Sequence, residues 1–268
     1  MPHIQVHGAQ LYYEEHGAGD DTLVFSHGLL WSGEMFREQV AALKGRYRVI
    51  TFDHRGQGRS ARTRERLDMD SLAEDAAELI RQLSPHKPVH FAGLSMGGFV
   101  AMRLAARHPQ LLKSCILLET SADPEVEENK GKYRQLTWVV RLLGTKLVAG
   151  KVMQIMFGKT FLEDESRAGL RREWRGRLES LDRGIHRAVA AVTSRAGIYE
   201  ELKNIRCPTL VIVGEEDVAT VPAKSERIHQ AITGSELVRI PRAGHTSTIE
   251  NPDAVTHAIR DFLTRKFG

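Results

Sequence analysis

A repeated alternation of short apolar runs with longer amphipathic stretches narrows the folds open to this chain more than any other feature. Residues 10–15, 22–26, 48–52, 89–92, 114–118, 209–213 and 236–240 have the length and the β-branched or aromatic content of strands. Residues 34–44, 71–83, 96–107, 223–232 and 253–266 fall mostly between them and read as helices. Such alternation implies an α/β protein with a mostly parallel sheet covered on both faces. Leu210-Val211-Ile212-Val213 is apolar without a break, the pattern of a strand buried on both sides.

The alternation fails once. Residues 124–205 show only helical periodicity, with Trp138, Val139, Leu142, Leu143 and Leu147 as its apolar positions. So long a stretch exceeds an ordinary connection between strand and helix. It reads as a helical cap inserted into a core of residues 1–123 and 206–268. A segment that leaves after one strand and returns before the next is expected over the C-terminal edge of the sheet, where ligands of open α/β sheets bind.

Composition removes several classes of function. The 268 residues are 41% apolar and 27% charged, as in ordinary globular proteins. No apolar run is long enough to span a bilayer, so no membrane partner is expected. The net charge is +4, but Arg171-Arg172-Glu173 and Arg175-Gly176-Arg177-Leu178-Glu179 mix basic and acidic residues. That is a solvated face rather than a nucleic-acid footprint. Cys115 and Cys207 are the two cysteines, too few for a disulfide framework and expected as thiols. Met1-Pro2-His3-Ile4-Gln5 lacks a basic stretch leading into an apolar one, so the expected setting is cytoplasmic.

The strongest local signal is Gly93-Leu94-Ser95-Met96-Gly97-Gly98. It directly follows the strand at 89–92 and opens the helix at 96–107, the setting of a nucleophile elbow. A serine thrust out of so sharp a turn needs neighbours without side chains, so that strand and helix can approach. The new helix also points its N-terminus at the serine, favouring negative charge there.

A serine hydroxyl needs a base to become a nucleophile. His245 lies in Pro241-Arg242-Ala243-Gly244-His245, between the last strand and the last helix. The acid belongs after the preceding strand, where Gly214-Glu215-Glu216-Asp217 offers three carboxylates. Asp217 is the choice, with Glu215 and Glu216 expected to face solvent. Glu119, after the earlier strand, is the alternative acid.

Two backbone N–H groups should bind the oxyanion, those of Met96 and of Leu29 in Ser26-His27-Gly28-Leu29-Leu30. His27 is expected to brace that loop. Asp53-His54-Arg55-Gly56-Gln57-Gly58-Arg59-Ser60 lacks the spacing of a phosphate loop and reads as a tight turn stitched by Asp53 and Arg55. Pro88 between His86 and His90 argues against a helical metal pair, and no metal is expected. Candidate pocket residues are Trp31, Trp138, Met153, Met156 and Phe157. The last three could equally form the core of the insertion.

Taken together, S-H-G-L-L, D-H-R-G-Q-G-R-S, G-L-S-M-G-G, G-E-E-D-V-A-T-V-P and A-G-H resemble the α/β-hydrolase family over nearly the whole chain. Within it the chain is most similar to 3-oxoadipate enol-lactonase-like serine esterases. The resemblance implies an eight-stranded, mostly parallel sheet with a helical cap, a Ser95–Asp217–His245 triad, a small-molecule ester or lactone substrate and no cofactor. Leu94 before the serine favours that side over the carbon–carbon hydrolases, which often carry Asn there, and the cofactor-free haloperoxidases, which often carry His. A signalling protein that retains the triad and binds a ligand is the rival from another class.

Overall fold

The computed structural model describes residues 2–63 and 67–268. Its eight strands are β1 (His3–Val6), β2 (Ala9–His16), β3 (Thr22–Ser26), β4 (Arg48–Phe52), β5 (Val89–Leu94), β6 (Leu112–Leu118), β7 (Thr209–Gly214) and β8 (Glu236–Ile240). They form one sheet in the order β1-β2-β4-β3-β5-β6-β7-β8. The pairs β1/β2 and β2/β4 are antiparallel, and from β4 to β8 every neighbour is parallel. The C-terminal ends of β3, β5, β6, β7 and β8 therefore share one edge.

Side-chain alternation accounts for the two-sided burial. Cys115, Leu117 and Val211 pack into one apolar cluster, while Ile116, Leu118, Leu210 and Ile212 pack into another. The first cluster is closed by α2 (Met69–Leu83), α3 (Met96–Arg107) and Ile228 of a helix after β7. The second is closed by α1 (Arg37–Leu43) and the C-terminal helix, with Val40 and Leu43 against Ile259, Phe262 and Leu263. Asp68 caps α2 by accepting from the Ser71 N–H, and the Ser71 hydroxyl in turn accepts from the Asp68 N–H, which satisfies two groups left over at a helix start.

Among the described residues, five α-helices lie between β6 and β7: α4 (Glu127–Leu143), α5 (Ala149–Met156), α6 (Lys159–Glu163), α7 (Ala168–Glu179) and α8 (His186–Thr193). The chain then runs through β7, α9 (Pro222–Ala231), β8, the short α10 (Ser247–Glu250) and α11 (Pro252–Phe267). No described helix is long and apolar enough to cross a membrane.

Two expectations change. β1 lies outside the strands expected from the sequence; it is a short edge strand that alternates exposed and buried residues. It returns to β2 through His7 and Gly8, both at positive φ, 40° and 74°, as tight hairpin turns require. The stretch expected as one helix over residues 34–44 begins with a 3₁₀ turn (Gly33–Phe36) before α1.

Candidate active site

Ser95 joins β5 to α3 with φ 54° and ψ −110°, a conformation that costs a non-glycine residue on the order of 1–3 kcal/mol. Its surroundings hold it there. The Ser95 N–H donates to the Leu118 carbonyl at 2.8 Å, extending the β5/β6 ladder, and the Thr120 hydroxyl donates to the Ser95 carbonyl at 2.9 Å. A side chain on Gly97 would overlap the Ser26 carbonyl, and one on Gly93 the Gly97 carbonyl. These glycines are required by close approach of strand, helix and the neighbouring β3.

His245 follows β8 and reaches across the sheet edge. Its Nε2 lies 2.8 Å from Ser95 Oγ, and its Nδ1 lies 2.8 Å from Asp217 Oδ2. An ionised carboxylate only accepts, so Nδ1 carries the proton and Nε2 is left to accept from the serine hydroxyl. Asp217 Oδ1 accepts the N–H groups of Ala219 and Thr220 at 2.8 and 3.0 Å, and Oδ2 accepts the Thr220 hydroxyl at 2.8 Å. Burial pushes the Asp217 pKa up, but His245 and the Thr220 donors outweigh it and hold the carboxyl below its ordinary value. Asp217 is ionised at neutral pH.

Residues 21–252 match the family described as alpha/beta hydrolase fold. The chain belongs to that family. It is 27% identical to "3-oxoadipate enol-lactonase 2" of Acinetobacter baylyi, over 95% of this chain and 93% of that one. A thermophilic esterase of Thermogutta terrifontis superposes with a TM-score of 0.92 at 28% identity, covering 100% of both chains. The enol-lactonase of Burkholderia xenovorans LB400 gives 0.90 at 30% identity, over 98% of this chain and 100% of that one.

In this alpha/beta hydrolase the alternative acid is placed differently from Asp217. Glu119 directly follows β6, fully buried at φ 41°, and among the described residues no hydrogen bond links it to His245. Burial drives its pKa well above the usual carboxylate range, and the nearby charges of Asp217 and Glu250 push the same way. Its surroundings thus favour the protonated form of Glu119. Glu215 is exposed as expected. Glu216 is not: its carboxylate accepts the Thr160 N–H at 2.8 Å and the Thr160 hydroxyl, tying α6 to the loop after β7.

Met96 is the first residue of α3, where helical N–H groups have no intrahelical acceptor. Leu29 sits on the loop after β3. A relay of three polar groups braces that loop: His27 Nε2 accepts the His54 N–H at 2.9 Å, His27 Nδ1 donates to the Gly28 carbonyl at 2.7 Å, and His54 Nε2 meets Ser26 Oγ at 2.8 Å. Burial lowers both imidazoles' pKa values, so His27 is a neutral brace. Gln57 joins the two halves, accepting the Leu30 N–H at 3.1 Å and donating to Met96 Sδ at 3.4 Å. The turn after β4 departs from expectation in one respect. Asp53 does stitch it, accepting the N–H groups of Gly33 and Arg59 at 2.8 Å each. Arg55 instead leaves it to form a buried two-bond pair with Asp75 of α2, at 2.7 and 2.8 Å. His90 is likewise turned inward, its Nδ1 2.8 Å from Ser114 Oγ.

A cavity of about 110 Å³ opens over Ser95 and His245. Its walls are mostly apolar: Leu29, Leu30 and Phe99 from the sheet side, and Val152, Ile155, Met156, Val189 and Val192 from α5 and α8. Arg195 and Glu125 also line it as an ion pair at 3.0 Å. Of the five pocket candidates read from sequence, only Met156 lines this cavity. Met153 is buried in the second core cluster. Trp31 and Phe157 are buried there too, in edge contact at 6.0 Å, with Trp174 and Phe161 beside them. Trp138 is 54% exposed and borders a separate depression with Arg141 and His186. The residues missed on α8, Val189 and Val192, were visible as helical spacing, but nothing local told which face turned toward Ser95.

Proposed function

We propose that this hydrolase cleaves carboxylic esters or lactones through an acyl-enzyme on Ser95, with His245 as base and Asp217 as its carboxylate partner. The observation that carries the reading is the unbroken hydrogen-bond chain Ser95–His245–Asp217, 2.8 Å at each step. Similarity to an enol-lactonase and an esterase supports the substrate class.

In the first half-reaction His245 Nε2 takes the Ser95 proton as Oγ bonds to the carbonyl carbon, sending the π electrons to oxygen. The N–H groups of Leu29 and Met96 receive that oxyanion. On collapse the C–O bond breaks, and the leaving oxygen takes the proton from His245. Water then attacks the acyl-enzyme, His245 again moves the proton, and the acid and free Ser95 result. Asp217 keeps its charge throughout and balances the imidazolium.

The helical segment from α4 to α8 acts in this reading as a cap that sets which acyl or alcohol groups enter. Its apolar face, together with a cavity of about 110 Å³, favours small, mainly apolar groups. A panel of short and long esters, lactones and ring-cleavage diketones tests the reading. Turnover of esters or lactones that vanishes in Ser95→Ala is expected. Turnover confined to the diketones would replace the ester assignment with carbon–carbon hydrolysis.

A further inference from the structure

Glu250, at the end of α10, is 3% exposed and faces the loop that carries His245. Its Oε1 accepts the Thr246 N–H and the Thr246 hydroxyl, both at 3.0 Å. Its Oε2 accepts the Gly244 N–H at 2.9 Å. One carboxylate thus binds the backbone on both sides of His245. Oε2 also accepts the N–H of Gly158 at 2.7 Å, which lies between α5 and α6 in the helical segment.

The chain is shaped for this meeting. A side chain on Gly244 would overlap the Gly158 backbone, and one on Gly158 would come within 2.8 Å of the Gly244 nitrogen. The Thr246 hydroxyl also lies 2.9 Å from the Met156 carbonyl, and Met156 lines the cavity over Ser95. Arg167 binds the Glu250 carbonyl from the loop before α7. Burial raises the Glu250 pKa above its ordinary value, while the N–H groups of Gly244, Gly158 and Thr246 pull it back toward the carboxylate they hold.

We propose that Glu250 is a positioning residue, which fixes the imidazole of His245 between Ser95 and Asp217 and, through Gly158, ties the end of α5, which walls the cavity, to the same loop. This rests on the ester-hydrolysis reading for its kinetic consequence, but not for its geometry. Glu250 touches no reacting atom. It acts by holding Gly244 and Thr246, so that the ring between them does not swing. Misplacing a catalytic group by about 1 Å costs on the order of 10²-fold in rate.

The test is Glu250→Gln, which keeps the volume but turns an NH₂ group toward N–H donors. Two quantities are read on the folded variant: kcat and KM for a short activated ester, and the far-downfield proton signal of the His245 Nδ1–H. The expected result is a fall in kcat of about tenfold or more with KM little changed, together with a displaced or broadened signal. Wild-type kcat, or an unmoved signal, overturns the proposal. If Glu250→Gln does not fold, Glu250→Asp, which draws the charge back by one methylene, is read by the same two criteria. Should the wild-type protein hydrolyse no ester, the reaction reading fails, and the proton signal alone decides the positioning role.

Discussion

Thr220 and His245 converge on the same oxygen of Asp217, the hydroxyl and the imidazole Nδ1 each 2.8 Å from Oδ2. The Thr220 N–H and the Ala219 N–H occupy the other oxygen. A carboxylate held by three donors besides the imidazole has little freedom to rotate away from it. Asp217→Asn keeps the shape and removes the charge, so kcat is expected to fall by roughly 10³–10⁴ with little change in melting temperature. Thr220→Val removes one donor to the carboxylate and is expected to lower kcat by about tenfold at most. Steady-state kinetics on a short ester reads both, and a mild Asp217→Asn would remove the aspartate from the mechanism.

Glu119 separates charge from proximity. Burial pushes its folded pKa well above the ordinary carboxylate range. Between the unfolded and folded values the native state binds more protons than the unfolded chain, so this group makes stability fall as pH rises through that window. Glu119→Gln matches the neutral acid in shape and does not titrate. It is expected to cost far less kcat than Asp217→Asn and to flatten the decline in stability as pH rises above the ordinary carboxylate range, measured by denaturant unfolding. A crippled Glu119→Gln enzyme would move the acid to β6.

Met156 lines the cavity, while Met153 and Phe157 are buried in the core. Met156→Ala is expected to shift preference toward longer acyl chains with stability nearly unchanged. Met153→Ala and Phe157→Ala are expected to destabilise by about 2–5 kcal/mol and to leave the chain-length profile alone. An altered profile in Met153→Ala with an unaltered one in Met156→Ala would reverse that division.

Much of the architecture was legible because central strands of a parallel sheet have a simple signature. β3 and β4 run over the residues read from sequence, as do α3 and β8, the latter at the far edge of the sheet. β1 was harder, because four residues at a sheet edge carry little apolar weight and its one firm signal was Gly8 in the turn. The ordering of Ser95, Asp217 and His245 along the chain told which groups to look for at the sheet edge, and the structure brings the three together. Partners that depend on packing between distant elements were not legible. Glu216 finds Thr160 and Arg55 finds Asp75 across 56 and 20 residues, and no local pattern encodes such meetings. The aromatic candidates failed for a related reason. Trp31 and Phe157 are buried in an aromatic cluster with Trp174, away from the cavity over Ser95.

The central claim, that Ser95 is the nucleophile activated by His245, is tested most directly by covalent capture. A fluorophosphonate probe is added to the wild-type chain and to Ser95→Ala and His245→Ala, and the adduct is located by peptide mass spectrometry. The account predicts stoichiometric modification of Ser95 in the wild-type protein, none in Ser95→Ala, and slow labelling in His245→Ala. Equal labelling of Ser95→Ala, or modification of a different serine in the wild-type protein, would contradict it.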